Sequence, residues 1–118
     1  LTLVRVDVVD HRLSSVGTDK FVEYKLRLQV IDSDPLYCWK RFSAIRKYRT
    51  QMVESSGRAM KSLPAFPSRK LWGNLSEKTI LLRKTKLNEF FEAAVKAMDS
   101  PLGISVNANV VVFKSEKR

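Results

Sequence analysis

The sequence predicts an α+β fold: a three-stranded antiparallel β-meander packed against a helical subdomain, with a proline-rich strap between the first and second main helices. Three observations carry that expectation. Between Leu3 and Arg41 apolar and polar side chains alternate, the period of a half-buried strand. From Ser43 onward the apolar residues recur at helical spacing instead. Between the two helical stretches runs Leu63-Pro64-Ala65-Phe66-Pro67-Ser68-Arg69-Lys70-Leu71-Trp72-Gly73, whose prolines fix an extended path with no helix or ladder role.

Leu3 to Val9 is the first strand, with Val4, Val6 and Val8 on one face and Arg5 and Asp7 on the other. His11 to Lys20 is polar with one glycine and reads as a loop or hairpin connection. Phe21 to Ile31 alternates most clearly. Val22, Tyr24, Leu26, Leu28 and Val30 share one face, and Glu23, Lys25, Arg27 and Gln29 share the other. Asp32-Ser33-Asp34-Pro35 is a tight turn, and Leu36 to Arg41 returns as a third strand. Short joins between successive strands make an antiparallel meander, open to water on one face.

Ile45, Tyr48 and Met52 then mark the inner side of a helix, with Arg46, Lys47 and Arg49 on its outer side and Ser55-Ser56-Gly57 at its end. Ser76 is the N-cap of a longer helix whose buried stripe is Leu87, Phe90, Phe91, Ala94, Val95 and Met98; Asp99-Ser100-Pro101 stops it. From Val106 to Phe113 the valines favour a strand, while Val106, Val110 and Phe113 also fit one face of a short helix.

A chain of 118 residues supports one core, so residues 1–118 read as a single domain. Its start at Leu1 rather than methionine points to a domain excised from a larger protein. No apolar run approaches the roughly 18 residues of a spanning helix. Cys38 is the only cysteine and reads as a buried structural thiol. Cys38 and the lone His11 lack the third, orienting group of a catalytic constellation, and zinc needs about four such ligands. The sequence therefore reads as a non-enzymatic module with no metal and no cofactor.

Net charge is +10, and it is unevenly placed. From Lys40 to Lys86 thirteen Lys or Arg face only Glu54 and Glu77, so this middle segment carries +11 while the flanks together carry −1. Such asymmetry marks an anionic partner: nucleic acid, a membrane surface or a phosphoinositide. Trp39-Lys40-Arg41-Phe42-Ser43 sits where the strand pattern gives way to the helical one. At that corner Arg41 offers a guanidinium fork suited to phosphate, Phe42 a ring face, and Ser43 a hydroxyl near a helix N-terminus, where anions are favoured.

In this order, Lys40-Arg41-Phe42-Ser43, then Leu63-Pro64-x-x-Pro67-x-Arg69, then Arg83 with Leu87 and Phe90-Phe91, the sequence resembles the PX (phox-homology) domain family over essentially the whole chain. The resemblance implies a module that binds phosphoinositides on the cytosolic face of membranes, most often phosphatidylinositol 3-phosphate on endosomes. It implies that Arg41 holds the 3-phosphate with help from Ser43 and that Phe42 packs against the inositol ring. It further implies that Arg69, or Lys70 in its place, meets the 1-phosphate, and that Arg83 bonds the 4- and 5-hydroxyls. Three departures are visible: Arg69 where lysine is usual, Ala44-Ile45 where an acid and phenylalanine are common, and phenylalanine rather than tyrosine at position 42.

Leu71 and Trp72 follow the strap and read as a tip that dips into the bilayer at headgroup level, as against a Trp72 that closes the core. Burying both would contribute on the order of 3–5 kcal/mol, and each basic residue at an anionic surface roughly 1 kcal/mol. The expected partners are thus a phosphoinositide headgroup and an anionic membrane surface, for a domain monomeric in isolation and peripheral on endosomal membranes. Two rivals remain. One is a nucleic-acid-binding basic domain, opposed by the lack of aromatics interleaved with cations along one strand face. The other is an interaction module that presents Pro64-Ala65-Phe66-Pro67 to a partner groove, as against a strap braced on the core.

Overall fold

The structure, a computed structural model, describes residues 3–56, 66, 75–97, 104–107 and 110–113. Three strands, β1 (Leu3–Val16), β2 (Asp19–Val30) and β3 (Leu36–Arg41), form an antiparallel sheet in that order. Two helices follow, α1 (Phe42–Ser56) and α2 (Glu77–Ala97), then a small hairpin of β4 (Ile104–Asn107) and β5 (Val110–Phe113). The expected α+β architecture is the one observed, with α2 packed on β1. Apart from Phe66, the strap 63–73 lies outside the described residues, as do Met98 and the stop at 99–101.

Alternation on β2 does what the sequence requires. Val22, Tyr24, Leu26, Leu28 and Val30 are buried, joined by Val6 and Val8 from β1, Ile45 and Tyr48 from α1, and Leu87, Phe90, Phe91 and Ala94 from α2. The side chain of Met52 lies outside the described set. On the other face Arg27 grips Asp7 with both arms of its fork, at 3.1 and 2.8 Å, and Arg12 donates to Glu23 at 2.9 Å. This face is the one open to water.

The stretch His11–Lys20, expected as a loop or hairpin connection, is a hairpin. Both strands run through it, so that Val16 pairs with Asp19 and only Gly17 and Thr18 turn. Gly17 takes a φ of +62°, which a two-residue hairpin turn of the primed kind needs at its first position. The hairpin overhangs the core: its residues 15–20 are exposed, so burial imposes no period on them, and Glu23 ties the strands by accepting from Ser14 at 2.7 Å as well as from Arg12. Between positions 106 and 113 the strand alternative holds, as a hairpin paired Ile104 to Phe113.

Ser76 caps α2 as the sequence predicts. Its Oγ accepts from the Thr79 N–H at 3.2 Å, and its carbonyl takes the first helical bond, from Ile80 N–H at 3.0 Å. Removing that cap in Ser76→Ala is expected to cost about 1 kcal/mol of stability. Urea unfolding of the two proteins checks this; an unchanged midpoint would mean the cap is idle.

Candidate functional site

The corner where β3 ends and α1 begins is where the structure gathers the chemistry. Phe42 heads α1, but its side chain is only 7% exposed, because the helix turns it inward onto the core. Its ring stacks on Phe66 at 5.5 Å between centroids, and Phe66 in turn meets Phe90 edge-on at 5.2 Å. The strap residue Phe66 is therefore taken up by the domain itself. Against the Phe42 ring lies Arg83 of α2, with Cζ 3.7 Å from the ring centre. A guanidinium lies flat on an aromatic ring because the ring's negative face attracts the cation.

Arg83 is buried, and burial lowers its pKa; the neighbouring Tyr24 opposes that fall, while the like charge of Arg46 adds to it. A guanidinium stays protonated even so. Of the three cations expected on the outer side of α1 only Lys47 is exposed there. Arg49 lies 5.6 Å from the Phe66 ring centre, and Arg46 is half-buried and near enough for its charge to act on Arg83. Four residues after Phe42 on α1, Arg46 falls on the same helix face, and that spacing is the signal that places it. Lys40, the β3 partner of Tyr24, stands on this inner side as well.

Arg41 is on the other side of the corner. Strand alternation turns it to the open face, where its Cζ lies 3.9 Å over the Phe21 ring and its NH2 is 3.9 Å from an Asp19 carboxylate oxygen. Its side chain is 45% exposed. Ser43 is exposed in the first turn of α1. The structure therefore joins Phe42 to Arg83 and sets Arg41 across the corner from them. Arg69, Lys70, Leu71 and Trp72 lie outside the described residues.

The open face carries aromatics and cations too, and they pair across strands. Arg12 lies 4.1 Å over Trp39, Lys25 is 4.9 Å from the Tyr37 ring centre, and Arg41 covers Phe21. The sequence hid this because the pairs are cross-strand neighbours, made so by registers such as Lys25 with Trp39. Each of these rings already carries a cation, so the face is a set of satisfied pairs, not an open stacking platform.

Comparison with known proteins identifies the family. The family model described as "PX domain" matches residues 28–113, from β2 to β5. The chain belongs to the PX domain family. It is 26% identical over 107 residues to the kinesin-like protein KIF16B of Mus musculus, covering 86% of this chain but only 8% of that much longer protein. Its fold is similar to the X-ray structure of a designed CISK-PX domain, with a TM-score of 0.68 at 19% identity, covering 83% of this chain and 92% of the other. As a PX domain the chain is a phosphoinositide-binding, membrane-targeting module with peripheral membrane association; PX domains are generally lipid-binding modules, not enzymes. Among the described residues no helix is long and apolar enough to cross a membrane.

Two phenols support the site from beneath. Burial raises the pKa of Tyr24, with the charge of Arg83 opposing, and raises that of Tyr48 much further. An unfolded chain would release both protons near the ordinary value of 10.0, so their stabilisation is whole below that pH and is lost as pH climbs toward the folded values. The urea midpoint is expected to fall steadily above that pH and to fall less steeply in Tyr48→Phe. Identical slopes would contradict the assignment.

Proposed function

We propose that this PX domain recognises phosphatidylinositol 3-phosphate at the β3–α1 corner and so brings the protein that carries it to the cytosolic face of endosomal membranes, in the service of protein transport. The observation that carries the reading is the Arg83 guanidinium fixed on the Phe42 ring beside Arg46. In this reading the negative charge of a headgroup meets two nearby positive ones beside the head of α1. Arg83 bonds the 4- and 5-hydroxyls of the inositol. Phe42 is the floor of the pocket: it holds Arg83 flat and leaves the small exposed part of its ring to the sugar.

Arg41 takes the 3-phosphate, with Ser43, once a ligand draws it from Phe21. An exposed cation–π contact contributes about 0.5–1 kcal/mol, and an exposed ion pair as long as that with Asp19 roughly 0–1 kcal/mol. Charge-assisted hydrogen bonds to phosphate are worth about 1.5–3 kcal/mol each, so the exchange favours the ligand. Arg69 or Lys70 then meets the 1-phosphate, while Leu71 and Trp72 enter the bilayer. The first follows from the family resemblance at those positions, the second from two apolar side chains set beside two cations after the strap.

The test is vesicle binding over the full set of phosphoinositides, with RNA and DNA as competitors at matched salt. Phosphatidylinositol 3-phosphate is expected to bind best, and Arg41→Ala to lose roughly tenfold or more of that affinity with its fold intact. Competition by nucleic acid with no phosphoinositide preference would favour a nucleic-acid partner instead.

A further inference from the structure

Arg41 is the last residue of β3, and β2 extends beyond it. Pairing between the two strands ends at Glu23 with Arg41, and the part of β2 from Asp19 to Glu23 overhangs the end of β3 by roughly 13 Å. Strand alternation puts Asp19, Phe21 and Glu23 on one face of that overhang, the open one, in the order acid, ring, acid. No residue of β3 pairs with the first two.

The Arg41 side chain lies along this row. Its Cζ is 3.9 Å from the Phe21 ring centre and its Nη2 is 3.9 Å from Asp19 Oδ2. Glu23 is engaged elsewhere, since its carboxylate accepts from Arg12 at 2.9 Å and from Ser14 at 2.7 Å. The ring and Asp19 are therefore what hold the Arg41 fork. They offer it a π face and an anionic oxygen, and an anionic oxygen is also what a phosphate offers. Phe42, the next residue, turns inward to Arg83, so the two forks stand on opposite sides of the corner.

We propose that Asp19 and Phe21 are an internal competitor for the headgroup phosphate: they hold Arg41 on the open face of the ligand-free domain and so set the affinity of the corner. The inference rests on the assignment of the 3-phosphate to Arg41, and its test separates the two. Binding is then an exchange, in which the contacts to Asp19 and Phe21 are given up for charge-assisted hydrogen bonds to phosphate. Both contacts exist only in the free domain, and a ligand binds more weakly when part of the free protein is held in another arrangement. Asp19 and Phe21 act through Arg41, as positioning residues. Removing a residue that supports a pocket weakens binding, whereas removing either of these tightens it.

Calorimetric titration with a short-chain, water-soluble phosphatidylinositol 3-phosphate tests this. Asp19→Asn is expected to bind roughly threefold tighter than the unsubstituted domain, and D19N/F21L roughly tenfold tighter. D19E keeps the carboxylate, and D34N removes an exposed acid from the turn between β2 and β3; both are expected to bind as the unsubstituted domain does. Unchanged or weaker binding by D19N would overturn the proposal, and D19N decides alone if the double variant does not fold. An equal gain in D34N would make the effect one of net charge and would also overturn it. If Arg41→Ala binds the soluble lipid as well as the unsubstituted domain does, or if the unsubstituted domain binds none, the reading of the corner fails and takes this inference with it.

Discussion

The corner between β3 and α1 depends on one contact, the Arg83 guanidinium lying on the Phe42 ring. A cation inside a protein is costly unless something replaces its water. Here ring faces and the nearby Tyr24 do so, and they also fix the fork in one plane. The ring is held in its turn by Phe66, and Phe66 by Phe90, so a chain of aromatic contacts runs from strap to long helix through the corner. In the proposed reading a donor braced in this way would meet its ligand with little ordering left to do, which is what preorganised recognition requires.

The sheet divides the cations into two kinds. On the open face they are spoken for: Arg27 by Asp7, Arg12 by Glu23 and Trp39, Lys25 by Tyr37. These pairs hold the strands in register, and a positive count along the sequence overstates how many charges await a partner. On the helical face the charge of Arg46 acts on the buried Arg83. Arg41 belongs to the open face, held there by an exposed ring and a long ion pair, both weak contacts.

The fold was legible wherever burial imposed a period. β2 is buried on one face along its length, so its alternation names the inner residues, and the apolar stripe of α2 does the same. The Ser76 cap was legible because its chemistry is local. What burial does not touch was less legible: the overhanging hairpin read as either a loop or a hairpin because residues 15–20 are exposed and burial imposes no period on them. At the site, the corner and Arg83 were visible as a motif. Arg46 was not, since its importance arises only once α1 and α2 meet, and neither was the side that Arg41 takes, which depends on the strand ending one residue before the helix begins.

The central claim is that a headgroup enters at the face where Arg83 lies on Phe42. It is tested most directly by an NMR titration of the ¹⁵N-labelled domain with a soluble short-chain phosphatidylinositol 3-phosphate, following backbone amides and the arginine Nε–H groups. The account predicts saturable shifts at Arg83 Nε–H, Arg46 Nε–H and the amides of Phe42 and Ser43. Shifts confined to Tyr37, Trp39 and their neighbours on the open sheet face, with Arg83 unmoved, would contradict it.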